Sequence, residues 1–339
     1  MKVWSSSGTA VTGRFAPSPT GLMHLGNAWS FFLAWLGARS AGGRVILRHE
    51  DIDPDRSRQS WMDAMERDLS WLGLDWDEGS SHGPHAPYHQ SLCGPLYDRA
   101  LDALKAQGLV YPCYCTRKEL RMLAGAPHGA ADGLGDAGAA YPGTCRSLTA
   151  EERAQKEAEG RKPALRLRCP DDDVETFDDL VLGPQRISLK SCGGDFALRR
   201  SDGVWAYQLA VVVDDMRMGV TQVVRGEDIL LSTPRQLLLY RLLGGTPPQY
   251  AHIPLLHDEE GERLAKRHHS LSIAALREKG CSPFAVIGYF AHLAGLQTSP
   301  APVSPAMLAD RIRHEGPFPW HTLPRGPIVV PHDVEDRLK

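Results

Sequence analysis

The amino-acid sequence predicts an α/β fold built on a parallel sheet, with an inserted subdomain and a short helical C-terminal part. Two stretches carry this prediction. Residues 13–50 read as strand, turn, amphipathic helix and second strand, and such a βαβ unit favours parallel pairing. Residues 203–244 contain long apolar segments and end in another amphipathic helix. The region between them has a different texture, with close cysteines, a Gly/Ala-rich loop and short alternating segments.

The first helix is predicted over residues 25–41, where apolar residues recur at helical spacing before Gly42 and Gly43. RVILRHE at 44–50 reads as the next strand. Residues 204–215 (VWAYQLAVVVDD) fit either a buried strand or a buried helix. Further helices are expected at about 57–72 and 92–107, after a capping box at Thr116, after another at Thr149, at 234–244, and in proline-broken segments near the C-terminus. Further strands are expected within 164–190, at 195–200 and at 220–228.

These elements divide the chain into four predicted parts. The first and third are halves of one sheet domain, the second is an insertion, and the fourth is a polar loop followed by short helices. Their predicted limits are 12–112, 113–194, 195–257 and 258–339.

Composition and charge bear on whether the protein binds nucleic acid globally, is secreted or spans a membrane. A net charge of −3 and a pI near 6.5 indicate no global nucleic-acid-binding surface, so any contact with RNA must be local. The seven cysteines follow no secretory segment, which favours a reduced, cytoplasmic protein. The most apolar run, at 31–36, is far shorter than the roughly 20 residues of a membrane span, so no membrane partner is expected.

The stretch GRFAPSPTGLMHLGN at 13–27 places a turn with two prolines and a glycine between strand and helix. The first N–H groups of a helix lack partners and its dipole attracts anions, so this turn favours a phosphate or carboxylate site. His24 and Asn27 add side-chain donors at the same place. On pattern alone the signal is weak, because many parallel-sheet proteins share it and a lone histidine is more often structural.

Cys113, Cys115 and Cys145 form a second candidate site. Three thiolates and one further ligand complete a tetrahedral zinc site, and two close ligands followed by a distant pair suit structural zinc. Spacing alone leaves Tyr141 and His128 open as the fourth ligand, and unliganded buried cysteines remain the alternative. The Gly/Ala-rich loop at 124–140 is expected to be mobile. The other four cysteines are isolated and expected in the core.

Several motifs occur in one order over about residues 13–275: PSPTG with HLGN, LRHEDIDPDRS, YQLAVVVDD, VVRGEDILLSTPRQ and RLAKR. In this combination the sequence resembles the catalytic core of the glutamyl-tRNA synthetases, a branch of the class I aminoacyl-tRNA synthetases. It resembles more closely their short paralogues, the glutamyl-queuosine tRNA(Asp) synthetases. The resemblance implies a Rossmann-like parallel sheet with a zinc-bearing insertion. It also implies activation of L-glutamate by ATP with Mg2+ to glutamyl-adenylate, followed by transfer of the glutamyl group to an RNA hydroxyl.

The resemblance also implies residue roles, and the chemistry of each residue type suits its role. A planar guanidinium matches a carboxylate better than an ammonium does, and a carboxylate suits the substrate's α-ammonium. The alternative, purely structural roles are local ion pairs for the arginines and a core position for the tyrosine. The implied glutamate-binding residues are Arg14, Phe15, Ala16, Pro17, Ser18, Glu50, Tyr207 and Arg225. The implied ATP-binding residues are His24, Gly26, Asn27 and Lys266, of which His24, Asn27 and Lys266 are the catalytic candidates. The implied zinc ligands are Cys113, Cys115, Tyr141 and Cys145. Asp51, Asp53, Asp214 and Asp215 are expected to be structural carboxylates.

The segment RLAKR departs from the family's KMSKS-like loop, because Arg263 stands where the first lysine is usual and Ala265 where the serine is usual. Lys266, the lysine expected to act on pyrophosphate, is retained. On spacing alone it would be a solvated surface lysine, whereas the resemblance makes it catalytic. We therefore expect activity, at a rate that these changes can lower.

Only a few dozen residues follow Pro283, and they are interrupted by SPAPVSP. They are too few for the helical domain with which a full glutamyl-tRNA synthetase grips the anticodon. We therefore expect a monomer that activates glutamate without tRNA and transfers it to the queuosine base in the anticodon loop of tRNA(Asp). The alternatives are a truncated glutamyl-tRNA synthetase that charges the 3′ end and a non-catalytic RNA- or zinc-binding relic. A small-molecule nucleotidyltransferase of the same superfamily is disfavoured by the glutamate-pocket residues.

Overall fold

The computed structural model describes residues 10–80, 82–116, 118–120, 141–264 and 271–339. Lys266, His128 and the predicted loop at 124–140 lie outside these residues. The helices with established bounds are α1 Leu25–Ser40, α2 Gln59–Trp71, α3 Gly94–Ala106, α4 Ala150–Ala158, α5 Tyr207–Arg217, α6 Thr233–Leu242, α7 Ile273–Glu278, α8 Pro283–Leu293, α9 Pro305–Glu315 and α10 Val334–Arg337. The strands are β1 Thr12–Phe15, β2 Arg44–Leu47, β3 Val110–Cys113, β4 Ala164–Leu167, β5 Val174–Asp179, β6 Gly183–Ser188, β7 Ala197–Arg199, β8 Gln222–Gly226, β9 Gln249–Ile253, β10 Leu256–His257 and β11 Ile328–Val329.

The predicted α/β fold with parallel pairing is confirmed. β1 pairs with β2 in parallel, from Thr12 opposite Arg44 to Phe15 opposite Leu47, and α1 is the crossover between them. β8 pairs with β9 in parallel. Thr12 joins the two pairs, because the Thr221 N–H donates to its carbonyl and the Thr12 N–H donates to the Thr221 hydroxyl. β1 and β8 therefore start side by side, and further along them the Arg14 Nη1 donates to the Val224 carbonyl.

Residues 204–215 were predicted as either a buried strand or a buried helix, and the structure has helix α5 there. Helix α6 carries a proline in its first turn, as predicted. The strand predicted at 195–200 exists as β7, but it pairs antiparallel with β4 in a separate sheet ordered β3-β4-β7. The prediction that it belongs to the parallel sheet is wrong. Alternation in so short a segment indicates that a strand forms, but it does not indicate which strand it pairs with.

Strands β5 and β6 form an antiparallel hairpin within the predicted insertion. β5 also meets β9 in parallel, with Asp179 opposite Tyr250, which gives the strand order β6-β5-β9-β8. The predicted domain limits stay a prediction.

The main core lies between the first parallel strands and the helices α1, α8 and α9. Trp29 and Phe32 of α1 pack against Phe290 of α8, with ring centroids 5.7 and 5.5 Å apart. No helix in the described part of the chain is long and apolar enough to cross a membrane. The core fixes α1, and with it the turn between β1 and α1.

Candidate active site

The N-terminus of α1 carries the predicted ATP-binding residues. His24 is the residue before the helix, and its Nδ1 accepts a hydrogen bond from the Asn27 N–H at 3.3 Å. The Asn27 Oδ1 accepts in return from the His24 N–H at 3.4 Å. Because Nδ1 accepts, the neutral ring of His24 carries its proton on Nε2. The two side chains thus cap the helix and hold each other in one orientation.

Gly26 allows close packing at this helix end. A Cβ at residue 26 would lie 3.2 Å from the His24 ring and 3.5 Å from the Leu264 carbonyl oxygen. Beyond residues 265–270, Ser272 forms a β-bridge with His24, and the Ile273 N–H donates to the Met23 carbonyl at 2.9 Å. Both described neighbours of the lysine-containing segment therefore lie against the N-terminus of α1.

The predicted glutamate pocket is a cluster of buried charges at the ends of β1 and β2. Arg14 lies with its Nε 3.7 Å from the Asp215 Oδ1, and its Nη1 donates to the Val224 carbonyl at 3.4 Å. Arg48 is fully buried and donates to Asp215 at 2.5 Å and to Glu50 at 3.1 Å. Asp215 therefore anchors both arginines, and Arg48 orients Glu50.

The electrostatics of this cluster follow from burial. Burial raises the pKa of Glu50, although the charges of Arg48 and Arg14 oppose the rise. Burial alone would lower the pKa of Arg48, but Asp215, Asp214 and Glu50 outweigh it and hold that pKa well above its ordinary value. Burial also raises the pKa of Tyr207, whose hydroxyl interacts with the charges of Arg225, Glu50 and Arg14. The structure thus brings the four predicted polar residues Arg14, Glu50, Tyr207 and Arg225 within electrostatic reach of one another.

Arg225, at the end of β8, is a buried cation with 5% exposure. Its Nε donates to His252 Nε2 at 3.1 Å, and its Nη1 donates to Gln236 Oε1 at 2.8 Å. Its Nη2 donates to the Thr233 hydroxyl at 2.7 Å. All three acceptors are neutral, and within the described part of the chain no carboxylate oxygen lies within 4 Å of this guanidinium. A buried charge normally has an opposite charge beside it, so this arrangement is suited to an anionic ligand.

The backbone between β1 and α1 lines the same region. The Pro17 carbonyl accepts from the Glu50 N–H at 2.9 Å, which holds this turn against Glu50. Ala16 is partly buried and Ser18 is exposed. The Phe15 ring faces away into the core, 5.5 Å from the Phe31 ring centroid, so only the backbone of Phe15 could take part. Contact of these residues with glutamate stays a prediction.

The cysteine cluster is separate from this pocket. The thiols of Cys113, Cys115 and Cys145 all lie within 4.8 Å of one another. The Tyr141 hydroxyl oxygen is 3.4 Å from the Cys113 sulfur and accepts the Cys145 N–H at 2.8 Å. The three thiols are ligands typical of structural zinc, and the Tyr141 hydroxyl lies where a fourth ligand would complete a tetrahedral site.

The pKa values of the Cys113 and Cys115 thiols are consistent with a bound cation. Burial and then the neighbouring Cys113 raise the pKa of Cys115 to about 12, so loss of its proton needs a positive charge such as Zn2+. The Arg166 guanidinium lies 4.0 Å from the Tyr141 ring centroid. The hydrogen bond to Tyr141 and the charge of Arg166 outweigh burial and lower the pKa of Cys113. Cys93, Cys169, Cys192 and Cys281 are buried thiols, as predicted.

Sequence reasoning missed the residues that hold the site together: Arg48, Asp179, Thr233, Gln236 and His252. Three of them lay inside motifs already noted: Arg48 in LRHEDIDPDRS, and Thr233 and Gln236 in VVRGEDILLSTPRQ. Asp179 and His252 lie in no motif. The four carboxylates expected to be structural all have partners within the protein. They are Asp51 with Ser91, Asp53 with Arg200, Asp214 with Gln90 and Tyr97, and Asp215 with Arg48.

The parallel sheet, the capped helix end and the buried arginines at the strand ends define the catalytic domain of a class I aminoacyl-tRNA synthetase. The family model described as tRNA synthetases class I (E and Q), catalytic domain, matches residues 10–301. The crystal structure of a glutamate-tRNA synthetase from Elizabethkingia anophelis is similar, with a TM-score of 0.79 and 27% identity. That match covers 96% of this chain and 69% of the other.

A Glutamyl-Q tRNA(Asp) synthetase from Nitratidesulfovibrio vulgaris is 60% identical over 330 residues, covering 97% of this chain and 98% of that relative. A relative of the same name from Symbiobacterium thermophilum is 52% identical, covering 95% and 96%. The chain belongs to the family of glutamyl-Q tRNA(Asp) synthetases. It is an enzyme of the glutamate–tRNA ligase type, and its family implies glutamate, ATP with Mg2+ and a tRNA as substrates.

Proposed function

We propose that this enzyme activates L-glutamate with ATP without needing tRNA and transfers the glutamyl group to the queuosine base in the anticodon loop of tRNA(Asp). The observation that carries the glutamate part is the buried Arg225 guanidinium, which has only neutral acceptors around it. The RNA target rests on the names of the two relatives whose lengths this chain nearly spans.

In the activation step, an oxygen of the glutamate α-carboxylate attacks the α-phosphorus of ATP, and pyrophosphate leaves. Arg225 and Arg14 bind the side-chain carboxylate, and Glu50 with Tyr207 holds the α-ammonium end. The His24 Nε2–H and the Asn27 amide donate to the phosphates at the N-terminus of α1, where the helix dipole also favours negative charge. Lys266, carried by the segment next to this helix end, stabilises the departing pyrophosphate.

In the transfer step, a hydroxyl of the queuosine base attacks the acyl carbon of glutamyl-adenylate. The new ester bond forms as the bond to AMP breaks, and the hydroxyl proton leaves to solvent. Zn2+ bound by Cys113, Cys115, Tyr141 and Cys145 would stabilise the part of the chain that joins β3 to β4. That role is structural, because all four ligand positions are filled by the protein.

The test begins with ATP–pyrophosphate exchange in the presence of glutamate and the absence of tRNA. Exchange is expected under these conditions. Labelled glutamate is then supplied with tRNA(Asp) that carries queuosine and, as the matched control, with tRNA(Asp) that carries guanine at the same place. Label should attach only to the first RNA and should survive prior periodate oxidation of the 3′ ribose.

A second candidate is charging of the tRNA 3′ end. It is favoured by relatives named as glutamate–tRNA ligases, such as one from Alkalilimnicola ehrlichii that is 48% identical and of which this chain spans 59%. Exchange that requires tRNA, together with label that is lost after oxidation of the 3′ ribose, would replace our proposal by this one.

A further inference from the structure

Arg225 is held by a chain of buried groups that starts in β5. The His252 ring, on β9, is fully buried, and its Nδ1 lies 2.6 Å from the Asp179 Oδ2. The Asp179 carboxylate also accepts the backbone N–H groups of Val181 at 3.0 Å and Leu182 at 2.9 Å. With so many donors around it, this carboxylate is ionised, and the hydrogen bond to His252 lowers the pKa of Asp179 despite burial.

The carboxylate fixes the tautomer of the imidazole. An ionised Asp179 can only accept, so the proton between the two residues belongs to His252 Nδ1. Burial lowers the pKa of His252 to about 4, and the ring is therefore neutral at neutral pH. Its Nε2 then carries a lone pair, and that lone pair faces the Arg225 Nε at 3.1 Å and the Thr233 hydroxyl at 3.0 Å.

Packing allows little freedom in this arrangement. The Tyr250 ring stacks on His252 with centroids 5.9 Å apart and an angle of 15°. The Arg225 guanidinium lies over the same ring, 5.0 Å from its centroid. Tyr250 therefore supports both groups, and the plane of His252 sets the direction of the Arg225 Nε–H.

The contrast with Arg48 shows what this arrangement achieves. Arg48 contacts two carboxylates directly and has little charge left for a ligand. Arg225 contacts the Asp179 carboxylate only through the His252 imidazole, so the guanidinium is oriented without a direct ion pair. Three of its five N–H groups serve the protein, and one N–H on each terminal nitrogen remains for a ligand.

We propose that His252, fixed by Asp179, is a positioning residue that makes the pocket select glutamate over glutamine. This inference rests on the proposed function, in which Arg225 binds the side-chain carboxylate of the substrate. An uncompensated buried cation favours a carboxylate strongly, whereas an amide gains little from it. A guanidinium that has lost its Nε acceptor can turn away and bind either side chain with less preference.

The test measures ATP–pyrophosphate exchange with glutamate and with glutamine for His252→Leu and His252→Gln. Leucine removes the acceptor, so the KM for glutamate should rise about tenfold or more and the preference over glutamine should fall by a similar factor. The KM for ATP should stay unchanged. Glutamine at 252 keeps a neutral acceptor and should restore most of the preference. His85→Gln is the matched control, because it removes another His–carboxylate contact of 2.6 Å that touches no candidate site residue in the described part.

Circular dichroism and thermal melting establish whether each variant is folded. If His252→Leu does not fold, Asp179→Asn replaces it, since asparagine has a similar shape and removes the carboxylate that holds the proton of His252 on Nδ1. A folded variant of either kind with an unchanged glutamate-to-glutamine ratio overturns the inference, and so does an equal loss in His85→Gln. A wild-type enzyme without glutamate-dependent exchange overturns the proposed function itself, which is a different result.

Discussion

Replacing Asp68 by asparagine should remove a pH-dependent part of the free energy of unfolding. Asp68 lies on α2 with its side chain 1% exposed, and its Oδ1 accepts from Arg277 of α7 at 3.0 Å. In the described part of the chain, its Oδ2 has no hydrogen-bond partner. Burial raises the pKa of Asp68 from 3.8 to about 6, against the opposing charges of Arg277 and Arg67.

The sign and size of the effect follow from linkage. The folded protein binds this proton more tightly than the unfolded chain, so protonation of Asp68 stabilises the fold at acidic pH. That contribution is lost as the pH rises through 6. With pKa values of 3.8 unfolded and about 6 folded, it changes by about 1.3 kcal/mol between pH 5 and pH 7.

Urea unfolding of wild type and Asp68→Asn at both pH values measures this contribution. The stability of wild type relative to the variant should be about 1.3 kcal/mol greater at pH 5 than at pH 7. Comparing the two proteins cancels the titration of all groups they share. Asp63→Asn is the control, because it removes an exposed carboxylate of the same helix. Equal differences at pH 5 and pH 7 would show that the buried carboxyl does not titrate in this range.

Four further outcomes are expected. Arg225→Leu should abolish glutamate-dependent pyrophosphate exchange while near-UV circular dichroism shows an intact fold; normal exchange would exclude Arg225 from the pocket. Lys266→Ala should slow the same exchange strongly, and an unchanged rate would return this lysine to the solvated surface. His24→Ala should raise the KM for ATP and lower stability by about 1 kcal/mol, whereas Thr149→Ala, which removes an equivalent cap on α4, should lower stability alone. Protein purified without chelator should contain one zinc per chain by metal analysis, and Cys145→Ser should lose it; wild type without zinc would leave these cysteines as core thiols.

Local patterns predicted the local structure well. The apolar spacing from Leu25 onwards and the glycines at 42 and 43 fixed α1 within one residue. The capping boxes at Thr149 and Thr116 form as predicted, since their partners lie three residues away. Signals of this kind act within a single helical turn, and tertiary packing rarely overrides them.

The interior of the candidate site was beyond such patterns. Arg48 meets Asp215 across 167 positions, and His252 meets Asp179 across 73. Arg48 and Asp215 each lie in a recognised motif, but nothing in the sequence indicates that they pair, and Asp179 and His252 lie in no motif at all. In both cases the fold creates the contact. The family resemblance pointed to Glu50 and Arg225 as ligands, but their orientation depends on these distant partners. The sequence could therefore identify candidate ligands, but it could not identify the residues that orient their side chains.

The pairing of β5 with β9 has a consequence for local unfolding. β5 ends at Asp179, so any opening that separates β5 from β9 withdraws the carboxylate from His252. The imidazole could then move its proton to the other nitrogen, and the guanidinium of Arg225 would lose its acceptor. Amide hydrogen exchange in β5 and affinity for glutamate should thus report one shared opening equilibrium. A mutation at the far end of the β5–β6 hairpin would therefore change glutamate affinity by altering the fraction of molecules in which β5 is paired with β9.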